Sequence, residues 1–394
     1  MPTIQADVAG STLPVPPLNL AGNFHRVREE VLAEIAAICD SGYYVLGPKV
    51  AEFEAALATY CGSRFALGLS SGTDALLVAM MALEIGPGDE VIVPTFTFFA
   101  SAGTVARLGA RPVFVDVEPD TFNIDVSQVE SRITPRTKAI MPVHLYGQLA
   151  NLMPLMEISR RRGVPIIEDA AQAIGARPDE RTAAALGVAG KSGGAIGLCG
   201  ALSFYPTKNL GAIGDAGALL TDDERLFELT KKLRIHGSGH TYYHERIGGN
   251  FRIDALQAAI LRIKLAHLEQ WTEARRARAA RYTALIEQAG LAPEFVRPPR
   301  EARGRHVYHQ YVIRAARRDD LAKFLTARKI GCGVYYPLPL HEQTCFANLG
   351  YKPDEFPHAR KAAAEVLALP IYPELTDIQQ EAVVSAIRAF YRSN

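Results

Sequence analysis

The sequence of 394 residues lacks the marks of several protein classes. Its cysteines are few, scattered and without C-x-x-C spacing, which argues against a disulfide framework or a zinc site; they are Cys39, Cys61, Cys199, Cys332 and Cys345. The number of Lys plus Arg residues (43) nearly equals that of Asp plus Glu (42). The chain therefore lacks the excess of basic residues that binding to nucleic acid or to a membrane surface requires. No apolar run approaches the roughly 18 residues of a membrane span, and the first ten residues show no secretory leader pattern. These absences favour a soluble cytoplasmic enzyme with no metal, nucleic-acid or membrane partner.

Apolar residues make up 48% of the sequence, enough for a large core, and their pattern along the chain predicts an α/β protein. From residue 65, short apolar strands alternate with helices, which is typical of a mostly parallel sheet covered on both faces. The predicted strands are 65–69, 91–93, 112–115, 139–143, 164–167, 201–204 and 218–220, and the predicted helices are 73–85, 98–108 and 152–162. Residues 177–199 are interpreted as an inserted loop.

The expected domains are an extended proline-containing arm (1–20), a large domain (21–250), and a long linking helix with a small α+β domain (251–394). In the last part, the pattern predicts one helix from Asp254 to about Glu287, strands at 307–313 and 332–335, and helices at 358–367 and 376–392.

Lys208 stands between an apolar strand and three glycines, Gly211, Gly214 and Gly217, that indicate tight turns. A single lysine in such a loop is most often a solvated surface residue. The alternative is a Schiff-base lysine, an amine held at a carbonyl cofactor.

Three upstream features favour that alternative. Gly72 and Thr73 lie where a strand meets a helix, and a helix N-terminus can bind phosphate, although an ordinary N-cap has the same pattern. Phe98 follows another strand and could stack on a flat ring or belong to the core. Asp169 follows the strand at 164–167, at the edge where such sheets bind ligands, but a helix cap is an equal alternative. Pyridoxal phosphate (PLP) requires this combination of a phosphate site, an aromatic ring, a strand-end carboxylate and a lysine.

Several motifs then resemble the DegT family of sugar aminotransferases from about residue 20 to the C-terminus. They are SGTDA (71–75), PTFTF (94–98), PVHLYG (142–147), EDAAQ (168–172), SFYPTKNLG (203–211), GDAG (214–217), GGNFRIDALQAA (248–259) and YYPLPLH (335–341). The resemblance implies fold type I of the PLP-dependent transferases, with a seven-stranded-type, mostly parallel sheet and a smaller α+β C-terminal domain.

The resemblance also implies roles for individual residues. Lys208 would be the catalytic Schiff-base lysine and proton shuttle, and Asp169 would pair with the pyridine nitrogen. The other implied cofactor contacts are Gln172 to the phenolic oxygen, Phe98 on the ring, Gly72, Thr73 and Ser203 at the phosphate, and Asn250 reaching the phosphate across a homodimer interface. The implied substrate contacts are His309, Tyr335, Tyr336, His341 and Arg252.

The implied activity is transfer of an amino group from an amino acid, with L-glutamate as the expected donor, to a UDP- or dTDP-linked keto sugar, with pyridoxamine phosphate (PMP) as the intermediate cofactor form. A 3-keto sugar is slightly favoured over a 4-keto sugar, from the segment 236–244. The alternatives are an aminotransferase of a free cyclic ketone and a non-catalytic regulatory relative. The chain departs from the family in the spacing between Asp169 and Lys208, which the insertion at 177–199 lengthens; the insertion could cover the sugar site or pack at the surface, and the surface is favoured.

Overall fold

A computed structural model describes residues 13–240 and 242–392. The helices are α1 (Leu20–His25), α2 (Arg28–Ser41), α3 (Pro48–Cys61), α4 (Gly72–Ala82), α5 (Ala100–Arg107), α6 (Val126–Val129), α7 (Leu152–Arg162), α8 (Glu180–Leu186), α9 (Glu224–Arg234), α10 (Ala255–Leu265), α11 (Leu268–Gln288), α12 (Arg318–Ala327), α13 (Pro357–Glu365) and α14 (Asp377–Arg392). The strands are β1 (Phe65–Leu69), β2 (Glu90–Pro94), β3 (Arg111–Val115), β4 (Thr137–Ile140), β5 (Ile167–Asp169), β6 (Cys199–Ser203), β7 (Gly217–Thr221), β8 (Ser238–His240), β9 (Tyr243–His244), β10 (Val296–Arg297), β11 (Tyr311–Ala315) and β12 (Val366–Leu369).

The large domain is built on a seven-stranded sheet. Four strands lie in the order β1-β7-β6-β5 and three in the order β3-β2-β4. Backbone hydrogen bonds join the two groups beside β4 and β5, from Ile140 N–H to Pro165 O and from Asp169 N–H to Pro142 O, both 2.9 Å long. Every strand of this sheet runs in one direction except β7, which is antiparallel to both of its neighbours. The predicted fold, a mostly parallel sheet covered by helices, is confirmed.

A smaller three-stranded antiparallel sheet, in the order β10-β11-β12, forms the C-terminal part of the chain. It shares an apolar core with α11, α12 and α14, in which Tyr282, Tyr311 and Ile387 are fully buried. Within 13–240 and 242–392, no helix combines the length and the apolar character that crossing a bilayer requires.

Three sequence predictions of secondary structure are corrected. The single helix expected from Asp254 to Glu287 is two helices, α10 and α11, which break at Ala266 and His267, and Asp254 makes no side-chain cap. Residues 332–335 form only one bridge, from Gly333 to Ala368, instead of a strand. The last two residues of the helix expected at 358–367, Val366 and Leu367, belong to strand β12 instead. A short apolar run fits a helix or a strand, and pairing with β11 makes this one a strand.

Of the arm predicted for 1–20, residues 1–12 lie outside the described part of the chain. Val15 pairs with Ile330, and its N–H donates to the carbonyl of Lys329 at 3.0 Å. Helix α1 begins at Leu20, where Asn19 accepts a hydrogen bond from the Gly22 N–H. The arm therefore attaches to the C-terminal domain before the chain enters the large one.

Candidate active site

A cavity of about 650 Å³ lies at the edge of the large sheet where β5 and β6 end. The parallel direction of these strands brings their last residues, Asp169 and Ser203, to the same edge, as expected for α/β sheets. The cavity brings together ten of the residues predicted from sequence, namely Gly72, Thr73, Phe98, Asp169, Gln172, Ser203, Lys208, His309, Tyr335 and Tyr336.

One wall of the cavity is the N-terminus of α4, which follows β1. Ser71 caps this helix by accepting a hydrogen bond from the Asp74 N–H at 3.0 Å. The N–H groups of Gly72 and Thr73 belong to the first turn, where no intrahelical acceptor exists, and they lie at the positive end of the helix dipole. A Cβ at Gly72 would lie 2.7 Å from the Ser203 Cβ, so only glycine lets this helix end approach β6 so closely. The arrangement suits a phosphate group.

Asp169 is the strand-end carboxylate and is 4% exposed. Its Oδ2 accepts a hydrogen bond of 2.7 Å from the Ser101 hydroxyl, and its Oδ1 accepts one of 3.2 Å from the Ala171 N–H. Burial raises the pKa of Asp169, while the Ser101 hydrogen bond and the charge of Lys208 act in the opposite direction. The two donors fix the orientation of the carboxylate, and Ser101 is a contact that the sequence analysis did not identify.

Lys208 lies in the loop after β6 and borders the same cavity. Its backbone N–H donates to the Tyr205 carbonyl at 2.8 Å, which holds the loop in a turn. Burial lowers the pKa of Lys208 to about 8, although the negative charge of Asp169 raises it. A lysine with a lowered pKa is more often the uncharged amine, which is the nucleophilic form.

Aromatic rings and one amide form a further part of the cavity wall. Phe98 is 54% exposed, an unusual state for a phenylalanine, and its ring centroid lies 6.2 Å from that of Tyr336. The Gln172 Oε1 accepts a hydrogen bond from the Tyr146 N–H at 2.7 Å, and its Nε2 donates to the Tyr336 hydroxyl at 3.2 Å. Phe98 therefore offers a free ring face to a ligand, while Gln172 is held in place by its neighbours.

The remaining predicted residues occupy different positions. His309 borders the cavity, is buried, and has a lowered pKa because of burial and then the charge of Lys208. His341 is buried beside Thr95, whose hydroxyl lies 2.7 Å from its Nδ1. Among the described residues, the lining of this cavity does not include His341, Arg252 or Asn250. The lining also includes Tyr205, Asp215 and Gln310, to which the sequence assigned no role. Tyr205 and Asp215 lie in the motifs at 203–211 and 214–217, whereas Gln310 lies in none of the quoted motifs.

The segment 177–199 lies outside the lining of the cavity, as far as the chain is described. Its helix α8 buries none of its side chains, but residues 192–196, which follow, are buried. The fully buried carboxylate of Glu168 accepts hydrogen bonds from the N–H groups of Gly194, Ile196 and Gly197 at 2.6–3.0 Å. The insertion is therefore attached to the residue next to Asp169 by buried hydrogen bonds.

Glu168 is also bonded to His144 Nε2 at 2.7 Å. His144 Nδ1 accepts the Ala150 N–H, so Nε2 carries the ring hydrogen and donates it to the carboxylate. Burial acts to raise the pKa of Glu168, but the hydrogen bonds from His144, Gly197 and Gly194 outweigh it, and the net pKa is lowered. Glu168 is therefore charged and structural, which leaves Asp169 as the carboxylate that faces the cavity.

Residues 25–388 match the model of the DegT/DnrJ/EryC1/StrS aminotransferase family. The chain belongs to this family. It is 48% identical to the "Pleiotropic regulatory protein" of Geobacillus stearothermophilus, covering 96% of this chain and 99% of the relative. It is 44% identical to the dTDP-3-amino-3,4,6-trideoxy-alpha-D-glucose transaminase of Streptomyces venezuelae, covering 95% of each. It is 41% identical to the UDP-N-acetyl-3-dehydro-alpha-D-glucosamine 3-aminotransferase of Acidithiobacillus ferrooxidans, covering 95% and 97%.

Two solved structures show the same fold. The Streptomyces venezuelae DesV protein, in complex with a ketimine intermediate, matches with a TM-score of 0.89 at 43% identity, covering 96% of this chain and 98% of that one. NtdA from Bacillus subtilis, with bound PMP, matches with a TM-score of 0.86 at 31% identity, covering 96% and 85%. The predictions of family, fold and aminotransferase class are confirmed.

The geometry of this family member also fits the cofactor. A helix N-terminus with free N–H groups, a buried carboxylate and a lysine of lowered pKa border one cavity. The close approach of α4 to β6 and β7 requires glycine at two positions, since a Cβ at Gly217 would lie 2.3 Å from the Ser71 carbonyl carbon. These features correspond to the phosphate, the ring nitrogen and the aldehyde of PLP. The roles of the individual residues stay predictions.

Proposed function

We propose that this protein is a PLP-dependent aminotransferase that moves an amino group from L-glutamate to a nucleotide-linked 3-keto sugar. The observation that carries the proposal is that Lys208 and Asp169 border the same cavity beside the N-terminus of α4. When bound, PLP supplies an aldehyde for the lysine and a protonated ring that accepts electrons from the carbon undergoing proton exchange.

Two side chains would perform the chemistry around this group. Lys208 would attach to the aldehyde as a neutral amine and, once released by the incoming amino group, would carry protons between carbon atoms. Asp169 would accept a hydrogen bond from the ring nitrogen and hold its proton there, with Ser101 fixing the carboxylate. A charge-assisted hydrogen bond of this kind contributes about 1.5–3 kcal/mol, or roughly ten- to hundredfold in rate.

Other residues would bind and orient the cofactor and the substrates. Gly72, Thr73 and Ser203 would hold the phosphate, Phe98 would stack on the ring, and Gln172 would contact the phenolic oxygen. His309, Tyr335 and Tyr336 border the cavity where a sugar would meet the cofactor. Because His341 is hydrogen-bonded to Thr95 within the protein, the proposal gives it a structural role instead.

Asn250 and Arg252 lie outside this cavity, and we assign them to a homodimer in which each site draws on two subunits. Support comes from the segment that precedes them, where Tyr242 and Ile247 are each 91% exposed and Tyr243 is 74% exposed. Large apolar side chains with such exposure are typical of an interface. Sedimentation and crosslinking through a cysteine at position 250 would test this arrangement.

The substrate class rests on the relatives, of which the Streptomyces and Acidithiobacillus proteins are named for 3-amino or 3-dehydro sugars linked to dTDP or UDP. The cavity of about 650 Å³ is large enough for a cofactor and part of a sugar nucleotide. The proposed nucleotide is accordingly dTDP or UDP, and the proposed sugar is of the type named for one of these two relatives.

The test has two stages. Purified protein with PLP should absorb as a yellow complex that borohydride fixes on Lys208, and L-glutamate should convert this spectrum to that of PMP. The PMP form should then aminate a member of a panel of UDP- and dTDP-linked 3-keto and 4-keto sugars, as shown by product mass. Absence of the glutamate-driven spectral change would refute the proposal, and turnover only with an inosose would favour a free cyclic ketone.

The regulatory alternative has one observation in its favour, the name of the Geobacillus relative. A non-catalytic protein has no need to keep a lysine of lowered pKa beside a buried carboxylate. Both are present here, so transamination is the better supported function.

A further inference from the structure

A second cavity, of about 280 Å³, borders Lys208 but is distinct from the cofactor cavity. Its walls come from residues 18–24 of the arm and α1, from the loop 206–213, from α10 and α11, and from 372–374. Leu18, Thr207 and Lys208 line both cavities. Apart from Lys208, the side chains that enclose this second space have no role in the proposed amino transfer.

Two cations in its wall are buried without an anionic partner. Lys264 on α10 is 5% exposed, and its Nζ donates to the Gly211 carbonyl at 2.8 Å. Arg275 on α11 is 6% exposed, and its Nη1 donates to backbone carbonyls, among them that of Ile371 at 2.9 Å. Among the described residues, no carboxylate lies within 4.0 Å of either cationic group, although buried charges are normally paired.

Glu374, the only carboxylate that the described residues place in the cavity wall, does not neutralise this charge. Glu374 lies 3.1 Å from the Nε of Arg26, so its charge is already shared with another cation. Burial lowers the pKa of Lys264 to about 8, and burial lowers that of Arg275 to about 10 despite the charge of Glu374. Lys264 and Arg275 against this one shared carboxylate give the cavity an excess of positive charge.

We propose that this cavity binds a small oxyanion, a carboxylate or a sulfate- or phosphate-like group, between Lys264 and Arg275. Its volume lies just below the usual range for drug-sized ligands, which excludes a whole sugar nucleotide. The buried indole of Trp271 and the side chain of Phe24 also line the cavity and give it an apolar part.

The test is calorimetric titration of sulfate and, separately, succinate into PLP-saturated protein at pH 7, so that the cofactor's own phosphate occupies the α4 site. At least one probe should bind with one-to-one stoichiometry. In Lys264→Met the affinity should fall at least tenfold, about the value of one charge-assisted hydrogen bond. The matched control is Arg262→Met, which removes an exposed cation two residues earlier on α10, 3.6 Å from Glu52; it should leave the affinity unchanged.

A second measurement needs no variant. Sulfate affinity of the wild-type protein should fall at least tenfold from pH 7 to pH 9.5, as Lys264 loses its proton. Failure of both probes to bind, equal binding in Lys264→Met, or binding that does not change with pH would each overturn the inference. Preference for sulfate or for succinate would identify an inorganic or an organic acid as the ligand. The inference does not rest on amino transfer, since its failure would leave the glutamate-driven spectral change intact.

Discussion

The lowered pKa of Lys208 predicts how fast the protein takes up PLP as the pH changes. Attachment requires the neutral amine. With a pKa of about 8, about one tenth of Lys208 is neutral at pH 7, whereas an ordinary lysine of pKa about 10.4 is neutral in only about four molecules in ten thousand. The fraction of neutral amine at pH 7 should therefore exceed that of an exposed lysine by a factor of about 200, and the rate of attachment should rise with pH to a plateau with a midpoint near 8.

Asp169→Asn provides the perturbation. The negative charge of Asp169 raises the pKa of Lys208, so its removal should move the midpoint to lower pH and increase the rate at pH 7. The same variant should hold PLP less tightly, because the ring nitrogen loses a charged acceptor. Rate and affinity therefore change in opposite directions, which a general loss of structure would not produce.

The assay is stopped-flow absorbance of apo-protein mixed with excess PLP from pH 6 to 10, with a simple alkylamine measured in parallel to correct for the titration of PLP itself. Asp215→Asn is the matched control, because Asp215 also borders the cavity but is not among the groups that shift the pKa of Lys208. A wild-type midpoint near 10, or a rise of the midpoint in Asp169→Asn, would refute the reasoning.

Three further predictions concern the support of this site. Ser101→Ala should weaken PLP binding about tenfold or more and raise the pKa of Asp169, because a buried carboxylate loses a 2.7 Å donor; fluorescence titration measures the affinity, and Ser101→Thr should retain most of it. Gly72→Ala should also weaken PLP binding with little change in fold, since its Cβ would lie 2.7 Å from a side-chain carbon of β6; unchanged affinity would contradict the phosphate site. His144→Ala should destabilise the protein by about 1–3 kcal/mol in urea unfolding, because the buried charge of Glu168 loses one of its four hydrogen-bond donors. Since the pKa of Glu168 is lowered in the folded state, its stabilising contribution is present above about pH 4.3 and is lost as the pH falls through the folded pKa.

Several elements were predictable because the pattern of apolar residues is local. Strands β1 to β3 match their predictions within one or two residues, since each is a short apolar run between turn residues. The break between α10 and α11 was not predictable, because the helical spacing continues through Ala266 and His267 without glycine or proline. The sequence pattern places Val366 and Leu367 of β12 in a helix, because only the pairing with β11 identifies them as strand.

The candidate site, like the fold, was predictable only in part from the local sequence. The motifs around Lys208 and Asp169 identified the residue types that PLP requires and their order along the chain, because each lies at a strand end that the local sequence marks. The tertiary structure decided which of two adjacent carboxylates faces the cavity, since Glu168 is held by His144 and by the insertion while Asp169 is held by Ser101.

The chain by itself determined the family and the alternation of strands and helices, because these depend on neighbouring residues, and its motifs predicted which lysine is the reactive one. Folding alone decided the pKa of that lysine, the burial of His341 away from the cavity, and the meeting of Lys264 with Arg275 around a second cavity. Such properties depend on burial and on charges brought together from distant segments, and no local pattern of residues records them.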